Sequence, residues 1–344
     1  MKSIVIHAAR DLRVETGAAP PAPGPGEVEV EIAAGGICGS DLHYYNHGGF
    51  GTVRLREPMI LGHEVAGHIA RVGPDVTQLS VGQLVAVSPS RPCGTCAYCL
   101  EGRPNHCLNM RFYGSAMPFP HIQGAFRQRL IAEAQHCAPA DGLTPGEAAM
   151  AEPLAVCLHA MHQAGDLLGK RDLVTGCGPI GALAILAERR AGAGEIVATD
   201  LFPFTLDLAQ KSGADRALNM AETPDALDGY GAEKGYFDVL FECTGVARAL
   251  SGAIPALRPR AVIVQLGLGG DMTLPVQAMT AKELSLRGSF RFHGEFFQGV
   301  GLMQKRLIDV RHLITHALPL AESVAAFELA SDRSRAMKAQ IAFT

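Results

Sequence analysis

Cys93, Cys96, Cys99 and Cys107 fall within fifteen residues, in the segment PCGTCAYCLEGRPNHC. Two CxxC steps and a fourth thiol after a short loop can close a tetrahedral thiolate shell around zinc. Such a shell leaves no open coordination position, so its expected role is to clip a loop rather than to react. An iron–sulfur centre or two disulfides are the other readings of four clustered thiols.

A second set of soft and borderline ligands is dispersed: Cys38 in GGICGSDLHYY, His63 and Glu64 in LGHEVAG, and Glu152 in AEPLAV. Thiolate, imidazole and one carboxylate oxygen from Glu64 or Glu152 make a mixed zinc shell with room for water or an alcohol. Read alone, His63 could be a satisfied structural histidine and Glu152 a carboxylate capping the domain crossover. Asp41 could hold a ligand histidine in one tautomer. Ser40, two residues past Cys38, could relay a proton or simply stabilise a turn.

A third motif is Gly176-Cys177-Gly178-Pro179-Ile180-Gly181, which follows LVT. In the form GxGxxG, the first glycine permits a tight turn, the second lets the backbone approach a pyrophosphate, and the third allows close helix packing. Pro179 suits a first helical turn. Asp200 ends the next apolar run, 24 residues after Gly176. A carboxylate there accepts hydrogen bonds from ribose hydroxyls and repels a 2′-phosphate, so NAD is expected over NADP. Taken alone, Asp200 could be an ordinary loop acid.

These motifs need elements to position them. VEVEI at 28–32 alternates as a half-buried strand, and HEVAGHIARV at 63–72 and QLVAVS at 83–88 add short strands punctuated by glycine. The cysteine segment, rich in glycine and proline, reads as turns rather than helix. After residue 153 the rhythm changes. Strand-like 172–175, EIVATD, FDVLFE, AVIVQLG and KELSLRGSFR alternate with helix-like PIGALAILAERR, LDLAQKSG and a segment near 246–257. That alternation predicts a doubly wound parallel sheet.

At 344 residues the chain is long enough for two domains. A net charge of −4 offers no general attraction to nucleic acid or to an anionic membrane. The segment 88–110 also lacks the basic and aromatic interleaving of a nucleic-acid platform. The sequence contains no secretory signal pattern and no unbroken apolar run of spanning length, so a cytoplasmic protein without a membrane partner is expected. Cys137, Cys157, Cys177 and Cys243 read as small buried residues.

In these motifs, and in their order along the chain, the sequence resembles the zinc-dependent medium-chain alcohol and polyol dehydrogenase family. SPSRPCGTCAYC, NMRFYGSAMPFPH, AEPLAVCLHAMHQAGDLLGKR, AEKGYFDV and KELSLRGSFRF extend the resemblance toward the branch that oxidises L-idonate at C5. The resemblance implies a GroES-like β-rich catalytic domain at 1–153 with a structural-zinc lobe at 88–110. A Rossmann NAD-binding domain follows at 154–294, and 295–344 return to the catalytic domain. It implies two zinc ions per subunit, Cys38, His63, Glu64 and Glu152 at the catalytic ion, and Ser40 as the relay hydroxyl. Tyr44 and Arg291 match substrate-pocket positions; His43, His47 and His121 are further polar candidates. The implied substrate is a sugar acid or polyol, and the implied assembly a homodimer or homotetramer. Sorbitol, xylitol or L-threonine oxidation is the alternative activity, and a noncatalytic nucleotide-binding protein the alternative class.

Overall fold

The computed structural model describes residues 1–343. Two sheets organise it. In the first, the strand Glu27–Gly36 is central. It pairs antiparallel with Glu64–Val72 along its length, with Gly36 opposite Glu64. Its first half also pairs with Arg129–Glu133, and its last three residues with Lys338–Ala342. Leu84–Val87 and Cys137–Pro139 extend the sheet on one side, and Ile314–Pro319 on the other. Val28, Val30, Ile32, Val65, Ile69, Phe126, Phe327 and Ile341 fill one core cluster beneath it. The chain end thus sits beside the strand that leads into Cys38.

The alternation in VEVEI is not a simple inside–outside pattern. Glu31 is exposed, but Glu29 is fully buried. Arg71 and Arg129, on the two flanking strands, both pair with Glu29, the latter at 2.9 Å. A buried carboxylate is tolerated where cations from neighbouring strands reach it.

The second sheet is wholly parallel, in the order Arg216–Asn219, Glu195–Asp200, Arg171–Thr175, Phe237–Glu242, Leu257–Gln265, Ser285–Gly288. The strand order reverses at Arg171–Thr175, which creates the crevice where dinucleotides bind in such sheets. The helix Pro179–Ala191 leaves that strand through Gly176, whose φ of +85° is left-handed. A Cβ on Gly181 would lie 1.8 Å from the Gly176 carbonyl oxygen. The motif's third glycine is therefore required by helix packing. The sheets are those of a GroES-like domain and a Rossmann domain. They are not separate bodies: Ala66 and Ala86 of the first share a core with Val174 and Phe241 of the second, through the helix Ala151–Ala164. The helix Glu295–Gln304 packs on that same helix before the chain returns to the first sheet.

The cysteine segment differs from its expected form in one respect. Ala97–Leu100 makes one short helical turn between Cys96 and Glu101. The turn lets Cys96 and Cys99 face each other, as three-residue spacing on a helix does. Among the described residues no helix is long and apolar enough to cross a membrane.

Two buried charge clusters lie in this frame. Lys338 and Glu64 are 2% and 1% exposed at the side chain, and the ammonium donates to both carboxylate oxygens, at 2.8 and 2.6 Å. It also donates to the Ile37 carbonyl at 3.2 Å. Burial disfavours the ammonium, yet Glu64 and Cys38 outweigh it and raise the lysine above its ordinary value. The second cluster is unbalanced. Asp172 and Glu188 are fully buried, and their oxygens have no hydrogen-bond partner among the described residues. Burial raises both, with the charge of Asp238 adding to the rise at Asp172 and that of Asp172 adding to the rise at Glu188; Asp172 moves from 3.8 to about 8.

Two outcomes follow from these clusters. Lys338→Met leaves Glu64 buried without its cation and should destabilise the protein by about 3–5 kcal/mol. Denaturant unfolding should show a smaller loss in the Lys338→Met/Glu64→Gln double variant; equal losses would mean that the pair is not coupled. For Asp172, the folded state keeps a proton that the unfolded chain releases near pH 4. Its stabilising contribution is complete below that pH and is lost as pH rises toward 8. Asp172→Asn should therefore shrink the fall in unfolding free energy between pH 5 and pH 8 by an amount of the order of a few kcal/mol. An unchanged fall would show that Asp172 does not carry it.

Candidate active site and metal centres

The helix Gly39–His47 starts at Cys38. Asp41, fully buried in its first turn, accepts the Cys38 backbone N–H at 3.0 Å and the Gly62 N–H at 3.2 Å. One carboxylate thus ties the helix start to the residue preceding His63. His63 Nδ1 lies 3.7 Å from Asp41 Oδ1, beyond hydrogen-bond range, and this buried nitrogen has no partner. Burial disfavours imidazolium here. Even so, the charges of Asp41 and Cys38 raise the proton affinity of His63 well above its ordinary value. A site that attracts a proton so strongly is charge-complementary to a cation.

Ligand atoms of Cys38, His63 and Glu64 converge within 4.8 Å of one another. Glu152, at the start of the helix Ala151–Ala164, is buried close by but lies outside that trio. Burial raises it to about 7; the His63 charge opposes the rise and the Glu64 charge adds to it. Glu64 is already engaged by Lys338, so its oxygens are shared between that ammonium and the trio.

Ser40 and Tyr44 are four residues apart on the helix Gly39–His47 and so share a face. Ser40 is half-buried. The Tyr44 hydroxyl is buried and accepts the Ala116 N–H at 3.0 Å. Arg291 adopts a left-handed φ of +57° and lays its guanidinium over Phe112, 4.5 Å from the ring centre, and over Phe290 at 4.9 Å. The other neighbour of Phe112 is His63, whose ring centre is 5.6 Å away. Arg291, 228 residues downstream of His63, therefore stands one ring away from it. Burial lowers the Arg291 pKa, while the negative charge of Glu152 opposes the shift. The three histidine candidates separate. His121 is fixed by the Arg56 N–H at 2.9 Å and faces the Pro118 carbonyl at 2.9 Å. His47 is exposed, and His43 is half-buried against Phe50.

On the nucleotide side, Asp200 is pinned by three backbone amides: Cys177 at 2.6 Å, Leu201 at 2.7 Å and Phe202 at 3.1 Å. Its charge is held against the glycine turn. A Cβ on Gly178 would meet only Arg333 Nη1, at 3.7 Å, so space lies open above that glycine. Burial lowers the Arg333 pKa, and Cys38 and Asp200 oppose this. Arg333 thus stands between the mixed trio and the glycine turn. It was not legible in SDRSRAMK, which reads as a charged surface segment. Lys338, in the same stretch, carries a signal: the lone charge in the strand KAQIA.

The four clustered cysteines are free thiols that face one another. Cys93 and Cys107 are 3.5 Å apart at sulfur, Cys96 and Cys99 3.5 Å, and Cys96 and Cys107 3.9 Å. A tetrahedral zinc with bonds near 2.3 Å places its thiolates about 3.8 Å apart, so the spacing fits that ion. Backbone amides of Cys93 and Asn109 donate to Cys107, and donors led by the Thr95 amide lower Cys93 to about 5. Such donors favour the thiolate form that a metal needs. A further group, His159, His162 and Glu295, also has ligand atoms within 4.8 Å. Its sequence signal is two histidines three apart in LHAMH.

Comparison with known proteins agrees with this architecture. Residues 24–145 match the alcohol dehydrogenase GroES-like domain, and residues 179–305 match the zinc-binding dehydrogenase family. The chain is 44% identical over 316 residues to L-idonate 5-dehydrogenase (NAD(P)(+)) of Escherichia coli (strain K12), covering 91% of each chain. It is 35% identical to sorbitol dehydrogenase of Bacillus subtilis (strain 168), covering 96% of this chain and 93% of that one. The crystal structure of L-idonate 5-dehydrogenase from Escherichia coli str. K-12 substr. MG1655 superposes with a TM-score of 0.94 at 41% identity, covering 99% and 98% of the two chains. The fold, the paired ligand groups and this similarity along nearly the whole length show that the chain belongs to the zinc-dependent medium-chain alcohol and polyol dehydrogenase family of oxidoreductases.

Proposed function

We propose that this chain reversibly oxidises L-idonate at C5 to 5-keto-D-gluconate and passes the hydride to NAD. The observation that carries this reading is the likeness, over nine-tenths of the chain, to an L-idonate 5-dehydrogenase. Arg291 agrees with it without by itself separating a sugar acid from a neutral polyol. It brings a guanidinium within one ring of the Cys38–His63–Glu64 trio, where a substrate carboxylate could be read by a fork of donors.

The donor sets fit two zinc ions: a half-buried thiol with a buried imidazole and carboxylate in the cleft, and four thiols in the lobe. Cys38 and His63, with Glu64 or Glu152, would hold the catalytic ion, and Cys93, Cys96, Cys99 and Cys107 the structural one. Zinc in the cleft supplies Lewis acidity toward an alcohol oxygen, and bound NAD supplies the hydride acceptor. The chain does the rest. Asp41 fixes Cys38 and the turn before His63 relative to each other. Ser40 takes the proton from the C5 hydroxyl and hands it toward solvent, as a positioned hydroxyl can. Tyr44 shapes the pocket wall, and Arg291 orients the substrate by its carboxylate so that C5, rather than another carbinol, faces the acceptor.

Gly176, Gly178, Pro179, Ile180 and Gly181 form the turn and helix start for the pyrophosphate, with Arg333 adding a cation above Gly178. The pinned Asp200 accepts from the ribose hydroxyls and disfavours a 2′-phosphate, which supports NAD over NADP. Leu286, 44% exposed on the edge strand Ser285–Gly288, and the exposed Leu268 and Val276 support assembly as a homodimer or homotetramer.

The test is reduced-cofactor formation by zinc-loaded protein with L-idonate, sorbitol, xylitol and L-threonine, each with NAD and with NADP. L-idonate with NAD should give the highest kcat/KM; faster turnover of sorbitol or xylitol would sink the substrate assignment. Arg291→Gln should raise the KM for L-idonate about tenfold or more while changing that for sorbitol much less. Ser40→Ala should lower kcat by about 100-fold, and a kcat within threefold of wild type would remove Ser40 from the proton route.

A further inference from the structure

We propose that His159, His162 and Glu295 form a third metal site, distinct from both zinc groups, that takes an exchangeable divalent transition-metal cation. His159 and His162 are three residues apart on the helix Ala151–Ala164 and project from the same side. Glu295 opens the helix Glu295–Gln304, which packs across it. Both imidazoles point Nδ1 at the same carboxylate oxygen, His159 at 2.9 Å and His162 at 3.0 Å from Oε1. The second oxygen is occupied by the His293 backbone N–H at 2.8 Å, which fixes the carboxylate's orientation. All three ligand atoms lie within 4.8 Å of one another.

The spacing is close to what a cation requires. Ligands about 2.05 Å from a tetrahedral ion stand about 3.3 Å apart, so the two nitrogens need to retreat from Oε1 by only a few tenths of an ångström. Coordination needs no redox partner. As each neutral ring turns its Nδ1 lone pair to the ion, the proton moves to Nε2. His159 Nε2 lies 3.3 Å from the Gln163 side-chain amide, and a flip of that amide gives the new N–H an acceptor. Two neutral imidazoles and one carboxylate are a donor set for zinc, nickel or copper rather than for calcium or magnesium.

The shell is open on one side. A cavity of about 320 Å³ adjoins the trio, lined also by His293, Gln298 and Asn105 of the cysteine lobe. It leaves room for water to complete the coordination and for the ion to exchange. His162, with a side chain 59% exposed, is the solvent-facing ligand. An ion here would clamp the helix that begins near Glu152 to the helix Glu295–Gln304. None of the three residues belongs to the proposed catalytic or dinucleotide-binding set, so the site is independent of the substrate assignment.

The experiment is calorimetric titration of tag-free, zinc-loaded, full-length protein with Ni²⁺, with zinc content measured before and after. Wild type should bind one Ni²⁺ per chain without losing zinc, and its thermal midpoint should rise with Ni²⁺. His162→Ala, at an exposed position that leaves folding intact, should weaken binding at least tenfold, and His159→Ala/His162→Ala should abolish it. His47→Ala should bind like wild type. The proposal is overturned if wild type takes up no Ni²⁺, if uptake is matched by zinc loss, or if the double variant binds as wild type does. Turnover is not the readout, so a failed substrate assignment leaves this result intact.

Discussion

The ion pair between Lys338 and Glu64 is the constraint on which the catalytic cleft depends. A carboxylate and an ammonium, each almost wholly excluded from water, cost several kcal/mol apiece to desolvate. They persist because the ammonium meets both carboxylate oxygens and a carbonyl. The arrangement exists only when Lys338–Ala342 is docked beside Glu27–Gly36, so the end of the chain must be in place before Glu64 is held next to Cys38 and His63. Gly36 shows how little slack remains: a Cβ there would stand 2.1 Å from a Glu64 oxygen.

Around that pair the cleft collects more charge than an apolar interior usually tolerates. Asp41, Glu64 and Glu152 face His63, while Lys338 and Arg333 approach from one further segment and Arg291 from another. The acids outweigh the desolvation of His63 and leave a site tuned to accept positive charge. The cations are spaced outward from it, Arg291 toward the cysteine-lobe side and Arg333 toward the glycine turn. On the proposed function, this ordering separates the places where a metal, a substrate carboxylate and a pyrophosphate would each be stabilised.

The two sheets divide the work according to their construction. The parallel sheet provides a strand-order reversal and a helix start, which suit a dinucleotide but supply no thiolate. The first, mixed sheet provides tight turns, which bring Cys38 and the Gly62–His63 turn onto one carboxylate, Asp41. Their shared element is the helix Ala151–Ala164. It carries Glu152 at one end and the His159–His162 pair two turns later, so the same helix touches the cleft and a second cluster of ligands.

Local spacing in the sequence was sufficient for the cysteine lobe, the glycine turn with Asp200 and most strands of both sheets. The lobe, the glycine turn and the strands depend on residues a few positions apart, whose geometry backbone dihedrals nearly dictate, and Asp200 is marked by ending the strand that follows the turn. Tertiary structure alone decided the rest. Cys38 and His63 meet because Asp41 binds two amides from different segments; Lys338 finds Glu64 across 274 residues; and Arg291 reaches His63 only through the ring of Phe112. Glu29 looked like the exposed half of an alternating strand and is buried instead, because Arg71 and Arg129 arrive from strands that no local pattern assigns to it. Sequence periodicity reports which face a residue occupies, but a charge is stabilised by whatever cation or anion the fold delivers to that face. That delivery is a property of long-range strand pairing and helix packing.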